Sequence, residues 1–151
     1  MSDNCLETRL SRLYRGSTLL THPLLRYHLH SSVALEEINQ LRSGGLDIRA
    51  AVASRTDEPG WAKFCMDNMV VEDDTTLSKC FGSLVEISFE NKKHHLKRLH
   101  KATGIPFEQM IFFDNEYGNI RSVSSLGVKC IYTPDGMKKE HWEEAKKAFD
   151  L

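Results

Sequence analysis

The sequence predicts an α/β domain: a parallel sheet covered on both faces by helices. Three observations predict it. From residue 33 onward, short apolar runs alternate with segments of helical periodicity. Cap and turn residues separate them, among them Gly44–Gly45, Pro59 and Gly104. No internal repeat, low-complexity tract or linker interrupts residues 33–151, which therefore read as one domain.

The elements follow in order. "VALEEINQLRSGG" places Val33, Leu35, Ile38 and Leu41 at helical spacing and stops at the glycine pair. "DIRAAVAS" is a strand. "DEPGWAKFCMDNM" carries acids and Pro59 at its start, as a helix N-terminus prefers. "VVEDDTTL", residues 70–77, reads as a polar loop, and "SLVEISF" as the second strand. "NKKHHLKRLHKATG" is a helix with Leu96, Leu99 and Ala102 inward and Gly104 as its C-cap. "QMIFFD" and "VKCIYT" are two further strands around a short helix, "YGNIRSVSSLG". "MKKEHWEEAKKAFDL" closes the chain as an amphipathic helix.

Residues 1–32 differ. Between Thr8 and Ser32 there is no acidic residue, while Arg9, Arg12, Arg15 and Arg26 stand among Leu and Ser. This segment is expected to be an atypical, disordered N-terminus, and its composition resembles that of an organelle transit peptide. The chain as a whole has an ordinary globular balance, 40% hydrophobic and 27% charged, with a net charge of −1. That balance gives no electrostatic pull toward nucleic acid or membrane. No apolar stretch reaches the roughly 20 residues that span a bilayer. Cys5, Cys65, Cys80 and Cys130 form no C-x-x-C pair, so free thiols in a reducing, cytoplasmic setting are expected. A monomer is expected.

The chemistry lies at the strand ends, because open parallel sheets bind ligands outside the carboxyl ends of their strands. Ser54 offers a hydroxyl at the end of the first strand. Lys92 puts a cation at a helix start, where it opposes the helix dipole and needs an anion. Asp114 ends the run "MIFF" with a hard oxygen ligand for a divalent ion. A buried carboxylate there is costly unless a cation meets it. Together the three make a phosphoryl-transfer set: metal and lysine neutralise phosphoryl oxygens, and the hydroxyl orients them.

"VASRTDEP", "NKKHHLKRLHKATGIPFEQMIFFDNEYGNI" and "LGVKCIYTPDG" resemble the eukaryotic magnesium-dependent phosphatase family of the haloacid dehalogenase (HAD) superfamily. The resemblance covers roughly residues 33–150. It implies a Rossmann-like, capless domain that hydrolyses phosphomonoesters with Mg²⁺ through an aspartyl-phosphate, on phosphotyrosine or sugar-phosphate substrates. By this resemblance Ser54 and Lys92 are catalytic, Arg55 and Thr56 complete the substrate-binding "SRT" signature, and Asp114 is a metal ligand. Asn115 stands where the family often has a second acid, which implies a weakened metal site.

One departure is decisive. Such enzymes open with a central strand ending in D-x-D-x-T, whose first Asp is the nucleophile and whose second is the general acid and base. Residues 1–53 contain no such element. The domain is thus expected to be incomplete, without its central nucleophile strand. Losing three or four core side chains forfeits roughly 6–10 kcal/mol, against a total stability of about 5–15 kcal/mol. "VVEDDTTL" mimics the motif with Glu72 and Asp74, but it follows Ser54 in the chain, and a polar loop is the better account. His94, His95 and His100 lack the i, i+4 spacing of a helical zinc pair. The basic run around Lys93 and Lys97 reads as a solvated helix face. The expected function is that of a Mg²⁺-dependent phosphomonoester hydrolase, acting on a small phosphomonoester or a phosphoprotein and inactive as written. The alternative is a non-catalytic module that binds phosphate or a phosphoprotein.

Overall fold

The computed structural model describes residues 30–151. The N-terminal expectations, Cys5 included, concern residues outside that range, apart from the last three of the 1–32 segment. Thirteen short elements follow. Helix α1 (His30–Ser43) leads to strand β1 (Val52–Arg55) and helix α2 (Pro59–Asn68). A hairpin of β2 (Val70–Glu72) and β3 (Thr75–Thr76) runs into α3 (Leu77–Phe81) and β4 (Val85–Ser88). Then come α4 (Lys92–Thr103), a 3₁₀ turn (Phe107–Gln109), β5 (Ile111–Asp114), α5 (Tyr117–Ser124), β6 (Lys129–Tyr132) and α6 (Lys139–Ala148).

The parallel arrangement expected from the alternation is present as two ladders. β1 pairs with β4, placing Ser54 opposite Ile87 and Arg55 opposite Ser88. β5 pairs with β6, placing Phe112 opposite Cys130 and Asp114 opposite Tyr132. Among the described strands no ladder joins β1 to β5. What unites the halves is a shared core. Ala53 of β1 and Phe112 of β5 pack in one cluster with Leu96 and Leu99 of α4 and Val123 of α5. The opposite face of β5 and β6 carries Ile131, which clusters with Ala34 and Ile38 of α1 and Trp142 and Ala145 of α6. Helices thus cover both faces. Each large apolar side chain buried this way contributes about 1.5–3 kcal/mol.

Local sequence explains the ends. Pro59 begins α2, where its missing N–H costs nothing, and the Glu58 N–H donates to Thr56 Oγ1 (3.0 Å). Asn91 caps α4 by accepting from the His94 N–H (3.1 Å), and Gly104 ends it at φ 71°, a left-handed conformation that penalises any Cβ. Trp142 Nε1 donates to Glu37 Oε2 (2.7 Å) and Lys146 Nζ to Glu37 Oε1 (3.0 Å), tying α6 to α1.

Three expectations need correction. "VVEDDTTL" is a hairpin continued by α3: Asp73 turns the chain at φ 48°, and Leu77 is fully buried. Ala102 is exposed, and the inward position on α4 goes to His95, which is fully buried. "DIRAAVAS" is extended strand only from Val52. No described helix is long and apolar enough to cross a membrane. Cys65, Cys80 and Cys130 are free, as expected.

Candidate functional site

The carboxyl ends of the two ladders collect most of the buried polar side chains among the described residues. Ser54, Lys92, Asp114 and Thr133 are all buried. Fully burying a lysine and an aspartate is unfavourable unless each is paired. The Asp114 and Glu116 carboxylates both favour the charged form of Lys92, while Arg55 disfavours it. Burial outweighs these effects and brings the Lys92 ammonium down from its usual range to about 8. Its Nζ donates to the Ala53 carbonyl, one residue before Ser54. The helix start at Asn91 is what aims Lys92 there: α4 packs beneath both ladders, and its first residue emerges at their carboxyl ends.

Asp114 is held from several sides. The Glu116 N–H donates to its Oδ1 (2.7 Å), and Asn119 Nδ2 donates to its Oδ2 (3.1 Å). Its own carbonyl accepts from the Thr133 N–H (2.9 Å), which fastens the ends of β5 and β6 together. Asn119 also donates to Glu116 Oε2 (3.2 Å), so one amide orders two carboxylates. Each Asp114 oxygen retains a lone pair for a further partner.

Of the six residues singled out from the sequence, Ser54, Arg55, Lys92 and Asp114 converge at this edge. Asn115 adjoins them with its Oδ1 buried and without a hydrogen-bond partner. Leaving such an acceptor unsatisfied costs about 1–3 kcal/mol. Thr56 is turned to local work, receiving the Glu58 N–H ahead of α2. Arg55 is exposed and lays its guanidinium 4.8 Å from the centre of the Phe89 ring. Sequence reasoning missed Asn119, Glu116 and Thr133. Their roles come through contacts across a strand end, and no helical or strand period links them to Asp114.

Among the described residues no three His, Cys, Asp or Glu side chains gather as a ready metal centre. The three histidines of α4 are dispersed: His95 Nε2 meets Ser88 Oγ (2.8 Å), His100 stacks on Phe107, and His94 is exposed. Glu72, Asp73 and Asp74 are exposed on the hairpin, which joins neither parallel ladder. The oxygen donors at the strand ends are the Asp114 carboxylate and the orphaned Asn115 Oδ1. Hard neutral and anionic oxygens of this kind suit a small divalent cation that keeps several waters.

A family model described as Acid Phosphatase matches residues 22–150. The chain belongs to the acid phosphatase family. It is similar to Magnesium-dependent phosphatase 1 of Homo sapiens, 40% identical over 116 residues, which are 76% of this chain and 60% of that protein. It is also similar to a HAD-like hydrolase superfamily protein of Schizosaccharomyces pombe, 37% identical over 83 residues, 54% of this chain and 48% of that one. The chain spans less than two thirds of the length of either relative. Within the acid phosphatase family, the Rossmann-like HAD class implied by the resemblance is the class of this fold.

Proposed function

We propose that this acid phosphatase family member holds a phosphomonoester and Mg²⁺ at the carboxyl ends of β1 and β5. The observation that carries the proposal is the burial of Lys92 within the influence of Asp114, one residue along the β1 backbone from Ser54. A buried cation at the end of a strand that carries a serine hydroxyl binds phosphoryl oxygens, and charge-assisted hydrogen bonds of this kind are the strong ones. Asp114 and Asn115 would hold Mg²⁺, with Asn119 and the Glu116 N–H orienting the Asp114 oxygens. When bound, the ion supplies neutralising charge for the phosphoryl oxygens. The human relative's printed name, a magnesium-dependent phosphatase, supports the choice of ion. Arg55 stands at the rim as a further phosphate contact, and Thr56 acts as the turn that positions it.

Hydrolysis needs a nucleophile as well. Residues 1–53 offer no D-x-D at the end of an apolar run, and Asp114 is the one carboxylate buried at this edge among the described residues. We therefore assign these 151 residues binding without efficient turnover, since loss of a nucleophile costs on the order of 10⁴- to 10⁶-fold in rate. The ligand is a small phosphomonoester or a phosphoprotein. Calorimetric titration with inorganic phosphate, with and without Mg²⁺, tests the binding. The expected result is saturable binding that Mg²⁺ strengthens and Asp114→Ala uncouples from the ion. Absence of saturable binding would overturn the site. Mg²⁺-dependent hydrolysis of an aryl phosphate, abolished by Asp114→Ala, would overturn the assignment of inactivity.

A further inference from the structure

Helix α4 sorts its side chains sharply between two faces. Lys92, His95, Leu96 and Leu99 are buried, and helical geometry puts Lys93, His94, Lys97 and Lys101 on the opposite, outer face. His94, Lys97 and Lys101 are exposed and Lys93 is half-buried. No acidic residue occurs anywhere in the helix. Lys93, Lys97 and Lys101 follow one another at i, i+4 spacing, so their stems rise along one column in steps of about 6 Å. Like charges at this spacing destabilise a helix. Among the described residues no ion pair engages any of the three. The carboxylates nearest to α4 are already committed, since Glu86 and Glu90 both pair with Arg98 on its flank.

The other lysine-rich helix behaves differently. α6 mixes its lysines with Glu140, Glu143 and Glu144, and Lys146 is held between Glu37 and Glu143. The basic column of α4 also widens onto its neighbour. Lys93 Nζ donates to Ser125 Oγ at the end of α5 (2.9 Å). Arg121, one turn before Ser125, is exposed and also outside the ion pairs of the described residues. Sequence alone reads this run as a solvated face; the structure adds that its charge is unmatched and continuous across two helices.

We propose that Lys93, Lys97 and Lys101, with Arg121 beside them, dock an extended acidic segment of a partner protein. Charge complementarity and pitch carry the inference. Alternate residues of an extended chain point to one face about 6.6 Å apart, close to the step between the lysines. A segment with Asp or Glu at every second position therefore meets each ammonium in turn. The outer face of α4 offers no aromatic ring on which a base could stack and no large apolar side chain to enter a bilayer. The net charge of −1 gives no wider field to hold a polyanion. Lys92 points the other way, so this surface stands independently of the phosphoryl site.

Fluorescence anisotropy on the full chain tests it, with a labelled peptide of alternating Glu and Ser as the probe. Two triple variants are compared: Lys93→Gln, Lys97→Gln and Lys101→Gln on α4, and Lys63→Gln, Lys139→Gln and Lys147→Gln elsewhere, with circular dichroism checking that both fold. The α4 triple is expected to weaken peptide binding about tenfold, and the control triple, with the same loss of charge, by no more than about twofold. Raising the salt from 50 to 250 mM should weaken binding to the parent chain. Absence of saturable binding, or equal losses in the two triples, would overturn the surface. Tighter binding of an oligothymidylate of equal charge, or of phosphatidylserine-containing vesicles, would overturn the choice of an acidic protein segment.

Discussion

The two ladders of this domain prepare their ends differently. At the end of β5, Asp114 is fixed from within its own neighbourhood: the Glu116 N–H, Asn119 and Thr133 all lie within the next 19 residues. At the end of β1, Ser54 brings little local support, and its charged companion arrives from α4, 38 residues further on. The acidic half is organised by sequence-local hydrogen bonds, whereas the cationic half is organised by packing. Lys92 comes under the influence of Asp114 because Leu96 and Leu99 seat α4 against both Ala53 and Phe112. Damage to the acidic half should therefore be graded and local. Damage to the cationic half should separate binding from stability.

The largest effect expected is at Lys92. Lys92→Met should weaken phosphate binding by about 100-fold or more, the loss of a charge-assisted contact of about 3 kcal/mol. The same change should raise stability at pH 7 in the metal-free protein. Holding the ammonium near 8 in place of 10.5 costs about 3 kcal/mol. That cost is complete below pH 8 and is relieved as pH rises toward 10.5. Chemical denaturation of both proteins, read beside their phosphate affinities, checks the opposition; a destabilised variant would mean that Lys92 also supports the fold.

Next in size is His95, buried beneath β4 with Nε2 on Ser88 Oγ and Nδ1 without a partner. Burial, reinforced by Lys92 and Arg98, moves it down from 6.5 to about 4. Its unfolded form therefore binds a proton that the folded form refuses between those values, and stability must fall as pH drops through this window. Between pH 7 and pH 5 the loss should be about 2 kcal/mol. Urea melts at the two pH values measure it, and His95→Gln should flatten the difference.

Smaller still is Asn119→Ala, which removes one of the contacts to Asp114. Second-sphere losses of this type weaken metal affinity about 10-fold or somewhat more, and Mg²⁺ titration followed by calorimetry reads it. The smallest effect is at Arg98, whose guanidinium bridges Glu86 and Glu90 at the outer side of β4. It is substantially exposed, so Arg98→Ala should move Tm by no more than about 3 °C in a scanning calorimeter. An Arg98 effect as large as that of Lys92 would erase the distinction between the halves.

The same contrast governs how much could be read in the sequence. The strand ends at Ser54 and Asp114 and the capped helix from Asn91 to Gly104 were legible, because local signals mark them: an apolar run halted by a polar residue, an Asn cap, a glycine stop. The inward face of α4 was read imperfectly. His95 is polar and was passed over for Ala102, since its burial depends on the Ser88 hydroxyl of another strand. The hairpin at residues 70–76 escaped because its strands are only two and three residues long and none of their residues is fully buried. Asn119 was invisible for a related reason: its five-residue spacing from Asp114 crosses a strand end and a helix start.

The central claim is that Lys92 and Asp114 serve one ligand, and a double-mutant cycle tests it most directly. Phosphate affinity in the presence of Mg²⁺ would be measured for the parent chain, Lys92→Met, Asp114→Asn and the pair. The account predicts strong non-additivity, with the double variant binding at least about tenfold better than the product of the single losses. Strictly additive losses would contradict it, because they would place the lysine and the aspartate in separate sites.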